Sequence, residues 1–278
     1  MPAEGALARE GVIASADGTK LAYRAWPKAG AKISFAVVHG LGEHSRRYER
    51  FAMGMARQGF ATFAVDLRGH GKSAGRRGHI DSWSQWVDDA AAFIAHVEGA
   101  VEGEVVPVGH SFGGPVLLST VLAGKLPHTT RFILSSPALR LKAKVPGWKV
   151  ALSKVTSVVA PKLTLDNEVD AGTLSRIPEV VEAYRTDPLV HNKISSRLYS
   201  EWGRACTRIL EHAGEIKLPF LILAGTDDQL VDPAGSEELH RLTAVVSELR
   251  LLEGRYHEPF NDIGSEEVFA VIADWLSR

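Results

Sequence analysis

The sequence predicts an α/β fold, a mostly parallel eight-stranded sheet flanked by helices and interrupted once by an inserted, mainly helical segment. Three observations predict it. Short apolar runs rich in valine, isoleucine and phenylalanine alternate with longer stretches whose apolar residues recur at three- and four-residue spacing, the pattern of doubly covered strands between amphipathic helices. One such junction carries Gly109-His110-Ser111-Phe112-Gly113, a tight strand-to-helix turn. The alternation stops between Pro137 and about Leu218, where helical patterns punctuated by prolines take over.

In chain order, apolar runs at 11–13 and 20–25 flank Asp17-Gly18 and predict an opening hairpin. Buried strands are expected at 33–39, 61–65, 104–109, 131–135, 220–224 and 248–252. Helices are expected near 46–57, 84–97, 111–122, 236–243 and 266–276. The core is therefore assigned to 1–137 and 219–278, and 138–218 to an inserted cap. Within the insert, Trp148, Leu152, Val155 and Val159 share one helix face, surrounded by Lys142, Lys144, Lys149 and Lys154. That face is expected to pack on the core. The alternative is an apolar lid that touches a membrane or lipid aggregate.

With 278 residues and 45% hydrophobic content the chain has enough apolar side chains for one large core. Its 32 basic and 33 acidic residues give a net charge of −1, which removes any global attraction to nucleic acid or acidic polymers. Small or apolar partners are expected. Cys206 is the single cysteine, so neither an intrachain disulfide nor a thiolate zinc cluster is expected, and no H-x-x-x-H pair suggests a metal. No cofactor is called for. The first ten residues lack the apolar run of a signal peptide, and no stretch of about 18 apolar residues occurs, so a cytoplasmic protein is expected.

The chemistry centres on Ser111. Glu104-Val105-Val106-Pro107-Val108 before the turn and Gly114-Pro115-Val116-Leu117-Leu118 after it supply the strand-turn-helix setting of a nucleophile elbow. The flanking glycines suit a strained turn against which neighbouring chain must pass closely; the plainer alternative is a helix N-terminus capped by Ser111. A serine hydroxyl needs a base and a group orienting that base, and in this setting the carboxylate and then the histidine follow in the chain. Asp227, Asp228 and Asp232 all follow an apolar strand, and spacing alone does not separate them. Of eleven histidines, His257 alone has the right place and order; His96, His128, His191, His212 and His240 read as surface or packing residues. Two backbone NH groups are expected to face the oxyanion, those of Phe112 and Leu41, the latter in the loop after the third strand. Asp66-Leu67-Arg68-Gly69-His70-Gly71-Lys72-Ser73 lacks the spacing of a phosphate-binding P-loop. Asp66 and Arg68 are expected to pair there and fix loops around the pocket.

Together, 39–48, 66–73, 109–114, 186–189, 225–228 and 256–258 resemble the α/β-hydrolase superfamily, and within it the monoacylglycerol lipase and lysophospholipase group, sometimes classed with serine aminopeptidases. The resemblance covers most of the chain and implies an α/β-hydrolase fold with a helical cap over an acyl tunnel. In that group the pattern G-[ST]-x-D places the carboxylate at Asp228, and Tyr256-His257 matches the histidine. Glu43 and Arg47 match positions near the glycerol-binding end. Phe112, Val231 and Phe260 depart from the methionine, cysteine and histidine of other members. The implied activity is hydrolysis of lipid carboxylic esters, most naturally monoacylglycerols, with lysophospholipase, short-chain carboxylesterase, aminopeptidase and non-catalytic receptor as the other readings. An aminopeptidase would need an acidic selector such as Glu43, Asp166, Glu168 or Asp170.

Overall fold

The computed structural model describes residues 8–142, 153 and 155–278. The opening hairpin is present as β1 (Arg9–Ala14) and β2 (Lys20–Trp26), turning through Gly18 at φ 81°. There follow β3 (Ile33–Val38), β4 (Ala61–Val65), β5 (Glu104–His110), β6 (Phe132–Ser135), β7 (Thr164–Asp166), β8 (Lys193–Ser195), β9 (Phe220–Gly225) and β10 (Ser247–Leu252). Eight of them form one sheet in the order β1-β2-β4-β3-β5-β6-β9-β10. Pairing is antiparallel from β1 through β2 to β4 and parallel across the rest.

Burial on both faces explains the unbroken apolar runs. In β3, Phe35 and Val37 pack into one cluster with Phe51, Met55, Phe269 and Trp275, while Ala36 and Val38 pack into another with Trp86, Phe93 and Val116. Alternate side chains thus serve opposite layers. The first layer holds α1 (Glu49–Arg57) and α7 (Ser265–Leu276); the second holds α2 (Trp83–Ala100), α3 (Gly113–Leu122) and Leu239 of α6 (Ala234–Thr243). Since β3, β5, β6, β9 and β10 run parallel, their following loops gather at one edge. Strand order reverses there, with β4 and β5 on either side of β3, which is where α/β sheets place their ligands.

Between β6 and β9 lie α4 (Pro178–Thr186) and α5 (Ser196–His212). Pro178 opens α4, and the Ser195 hydroxyl caps α5 by accepting from the Leu198 NH at 3.1 Å. A short antiparallel ribbon of β7 and β8 accompanies these helices, and the sequence marked neither strand. Leu198, Trp202, Cys206 and Ile209 of α5 join the same hydrophobic cluster as α2 and α3, so α5 is continuous with the core.

Two expectations are corrected. Val155 and Val159 do not pack on the core: they are 60% and 74% exposed. Trp148, Leu152, Lys144, Lys149 and Lys154 lie outside the described residues. Asp66 and Arg68 do not pair. Asp66 instead accepts from the NH groups of Ser45 at 2.7 Å and Lys72 at 2.8 Å, tying two loops, because its carboxylate lies among amides that need acceptors. Arg68 Nε and Nη2 each donate to the buried Asp89 at 2.7 Å, and Nη1 reaches the partly exposed Asp17. Among the described residues no helix is long and apolar enough to cross a membrane. Breaking a buried pair leaves an uncompensated charge, so Asp89→Ala is expected to lower stability by about 3–5 kcal/mol, whereas Asp17→Ala is expected to cost about 0–1 kcal/mol. Denaturant unfolding of both variants checks the contrast.

Candidate active site

Ser111 stands between β5 and α3 at φ 52°, in the left-handed region. Its NH donates to the Ser135 carbonyl at 2.9 Å, and its own carbonyl accepts from Ala138 at 2.9 Å, so the turn is held from β6 and the loop beyond it. A β-carbon at Gly113 would collide with the Val38 carbonyl oxygen. That close approach is why glycine follows the turn. The Ser111 side chain does not cap the helix; Phe112 occupies the cap position.

The Ser111 hydroxyl instead meets His257, with 2.9 Å between Oγ and Nε2. On the other side of the ring, Nδ1 lies 2.7 Å from Asp228 Oδ2. The carboxylate fixes the tautomer: Nδ1–H donates to Asp228, leaving Nε2 to accept from the serine hydroxyl. Asp228 Oδ1 accepts from the NH groups of Leu230 at 2.8 Å and Val231 at 2.9 Å, so all four atoms of the relay are fixed. Both Asp228 and His257 are buried. The carboxylates that spacing could not separate go different ways: Asp227 is exposed, and Asp232 accepts from the Ala234 NH at the start of α6.

Electrostatics sharpen the arrangement. Burial works against the charged form of His257, but the Asp228 charge and hydrogen bond, with Glu258 and Glu43 nearby, outweigh it and raise its pKa. Burial likewise opposes the Asp228 carboxylate, yet the His257 charge and hydrogen bond and the two backbone NH groups hold its pKa down. The pair therefore keeps a negative Asp228 beside a ring that readily accepts a proton.

Gly40 and Leu41 come to the same place from the end of β3. A β-carbon at Gly40 would lie 3.0 Å from the Ser111 Cβ and 3.4 Å from its Oγ. Among the described residues, neither the Leu41 NH nor the Phe112 NH donates to an acceptor, and both residues line the cavity beside Ser111. The Phe112 ring stacks on Trp202 of α5, with centroids 5.0 Å apart.

Glu43 lines the cavity and Arg47 does not. The Glu43 carboxylate accepts from the Gly40 NH at 2.7 Å, the Tyr48 hydroxyl at 2.9 Å and Arg47 Nε at 3.2 Å. Arg47 Nη2 donates to both oxygens of Glu258 at 2.7 Å, and its guanidinium lies 4.7 Å over the Tyr184 ring. Arg47 thus positions two carboxylates, Glu43 and Glu258. Burial opposes the charge on Glu43, but the Arg47 guanidinium and the Gly40 NH hold its pKa below the carboxylate range. Glu258 and Tyr184 escaped the sequence reading as site residues because nothing in the chain links them to a residue so distant. Phe260 is buried in the core between Phe51 and Phe269.

The cavity has a volume of about 760 Å³, well inside the roughly 300–1,000 Å³ of small-molecule sites. Leu141, Leu174, Ile194, Trp202, Leu230 and Val231 are among its apolar walls. Glu43, Tyr184 and Glu258, joined through Arg47, make one polar corner, and Asp166 and Asn167 add to the polar lining. Among the described residues, no group of three or more His, Cys, Asp or Glu side chains is arranged to hold a metal ion.

Residues 30–264 match the family described as Serine aminopeptidase, S33, and the chain belongs to that family of α/β-hydrolases. It is 30% identical over 271 residues to the monoacylglycerol lipase of Mycolicibacterium smegmatis, covering 95% of this chain and 95% of that protein. It is 33% identical over 269 residues to an abhydrolase domain-containing protein of Dictyostelium discoideum, covering 96% of this chain but only 28% of that much longer protein. The crystal structure of Paleococcus ferrophilus monoacylglycerol lipase matches with a TM-score of 0.80 at 32% identity, over 97% of this chain and 98% of that one.

His257 is expected to titrate above the ordinary histidine value of about 6.5, and Asp228→Asn to bring it down. A raised folded-state pKa stabilises the protein fully below the unfolded value, and that contribution is lost as pH rises through the folded one. NMR titration of the imidazole protons in both proteins checks the direction.

Proposed function

We propose that this protein is a serine carboxylester hydrolase whose preferred substrate is a monoacylglycerol, released as a fatty acid and glycerol. The observation that carries this reading is the hydrogen-bonded line from Asp228 through His257 to Ser111, opening on a largely apolar cavity. Ser111 Oγ attacks the ester carbonyl while His257 Nε2 takes its proton, and Asp228 steadies the imidazolium. The Leu41 and Phe112 NH groups receive the oxyanion of the tetrahedral intermediate. That intermediate collapses as His257 protonates the departing glycerol oxygen, leaving the acyl group on Ser111. Water, deprotonated by His257, then releases the fatty acid and restores the serine.

The cavity's charge favours a neutral head group over the phosphate of a lysophospholipid. Its described lining includes Glu43, Asp166 and Glu258 and no lysine or arginine, so among the described residues an anionic head group would face carboxylates and no lining cation. The same field helps expel the fatty-acid carboxylate once it forms. An amino group would be attracted by these carboxylates, but Glu43 already accepts from Gly40, Tyr48 and Arg47. In this reading the segment 138–218 is the cap over the acyl chain. Exposed Val155, Val158, Val159, Leu163 and Leu165 suit transient contact with a lipid surface.

Ser111→Ala is expected to lower ester hydrolysis by about 10⁴–10⁶-fold. On a panel of monoacylglycerols, di- and triacylglycerols, lysophosphatidylcholine, p-nitrophenyl esters and an aminoacyl amide, monoacylglycerols are expected to give the highest kcat/KM. Wild-type turnover by the serine variant would remove the mechanism, and preference for the amide would remove the lipase reading.

A further inference from the structure

His39 sits directly after β3, is completely buried, and uses both ring nitrogens on backbone groups. The Leu67 NH points at His39 Nε2 from 2.9 Å. An amide NH only donates, so Nε2 accepts and the ring carries its single proton on Nδ1. Nδ1 lies 2.6 Å from the Gly40 carbonyl oxygen, which only accepts. Donor and acceptor roles are therefore fixed at both ends by the backbone, with no tautomer left to choose.

The Gly40 carbonyl belongs to the same peptide plane as the Leu41 NH. No peptide bond among the described residues is cis, so in this trans unit C=O and N–H point in opposite directions. Holding the oxygen against His39 turns the Leu41 NH the other way. The preceding plane is also held, because the Gly40 NH donates to Glu43 at 2.7 Å. Gly40 has no side chain to resist rotation, and Ser111 stands against its α-carbon. Without the His39 bond, a flip of the Gly40–Leu41 peptide would aim a carbonyl where an NH is needed.

We infer that His39 is a positioning residue for catalysis: by donating Nδ1–H to the Gly40 carbonyl, it aims the Leu41 NH at the oxyanion that forms on Ser111. This rests on the acyl-transfer function proposed above. The simpler role, tying Leu67 to the end of β3, uses the other nitrogen, and the two roles are separable by substitution. An asparagine places an amide nitrogen where Nδ1 is and does not reach Leu67. A glutamine extends to the position of Nε2, satisfies Leu67 and leaves the Gly40 carbonyl without its donor.

The test compares His39→Asn with His39→Gln on a soluble monoacylglycerol, alongside inhibition by an alkyl trifluoromethyl ketone, whose serine adduct carries an oxyanion. His39→Gln is expected to lose about 10²–10³-fold in kcat with KM changed less than about threefold, and to bind the ketone correspondingly weakly; His39→Asn is expected to remain within about tenfold of wild type. The reverse order, or equal kcat values in the two variants, overturns the inference. Should a variant fail to fold, ¹⁵N-resolved NMR of the wild-type protein decides instead: the His39 proton is expected on Nδ1, and a proton on Nε2 refutes the assignment. If wild type and Ser111→Ala turn over the ester equally, the proposed function falls. If only wild type is active and the His39 variants do not separate, the positioning role alone falls.

Discussion

The Ser111 backbone at φ 52° is costly, about 1–3 kcal/mol for a residue with a β-carbon, and it persists only where neighbouring backbone leaves no alternative. Here the Ser135 carbonyl, the Ala138 NH and the Val38 carbonyl against Gly113 surround the turn. Packing of α3 onto the sheet thus directly sets where the serine hydroxyl points. The loops bearing Gly40, Asp228 and His257 reach it because β3, β9 and β10 end on the same edge. At Gly225 a β-carbon would strike the Arg255 carbonyl, so the loops after β9 and β10 touch backbone to backbone and carry Asp228 to His257.

A second set of constraints is electrostatic. Glu43, Arg47 and Glu258 form a buried chain in which the one guanidinium is shared between two carboxylates. This keeps negative charge close to His257 without placing a competing base against its Nε2. Glu43 also holds the Gly40 NH, so the charges that favour a protonated imidazole and the backbone that would receive an oxyanion are mechanically linked. Ser111, His257 and the Gly40–Leu41 backbone are therefore parts of one network.

Much of the fold was legible in the sequence because burial on both faces writes itself as uninterrupted apolar runs. Ala61–Val65 and Phe220–Gly225 are entirely buried strands. Glycines and strand endings also marked the loops that converge at the site. The ribbon of β7 and β8 was not legible, since three-residue strands are too short to carry a period. Nor was the partner of Arg68, because Asp89 is one acid among many on a helix until packing buries it. Choosing Asp228 over Asp227 and Asp232 needed the resemblance, as adjacent carboxylates differ only in where the turn points them. The His39 hydrogen bonds depend on peptide orientation, which sequence does not record.

The stack of Phe112 on Trp202 joins two things that would ordinarily be tuned separately. Trp202 is a wall of the cavity and is held by its indole NH on the Ala138 carbonyl, and Ala138 in turn donates to Ser111. Reshaping that wall would therefore disturb Phe112, the residue next to Ser111. The shape of the cavity and the setting of Ser111 are coupled here, so changes to the cavity's shape should be better tolerated at Leu141, Leu174 or Ile194, which line it and take no part in this stack.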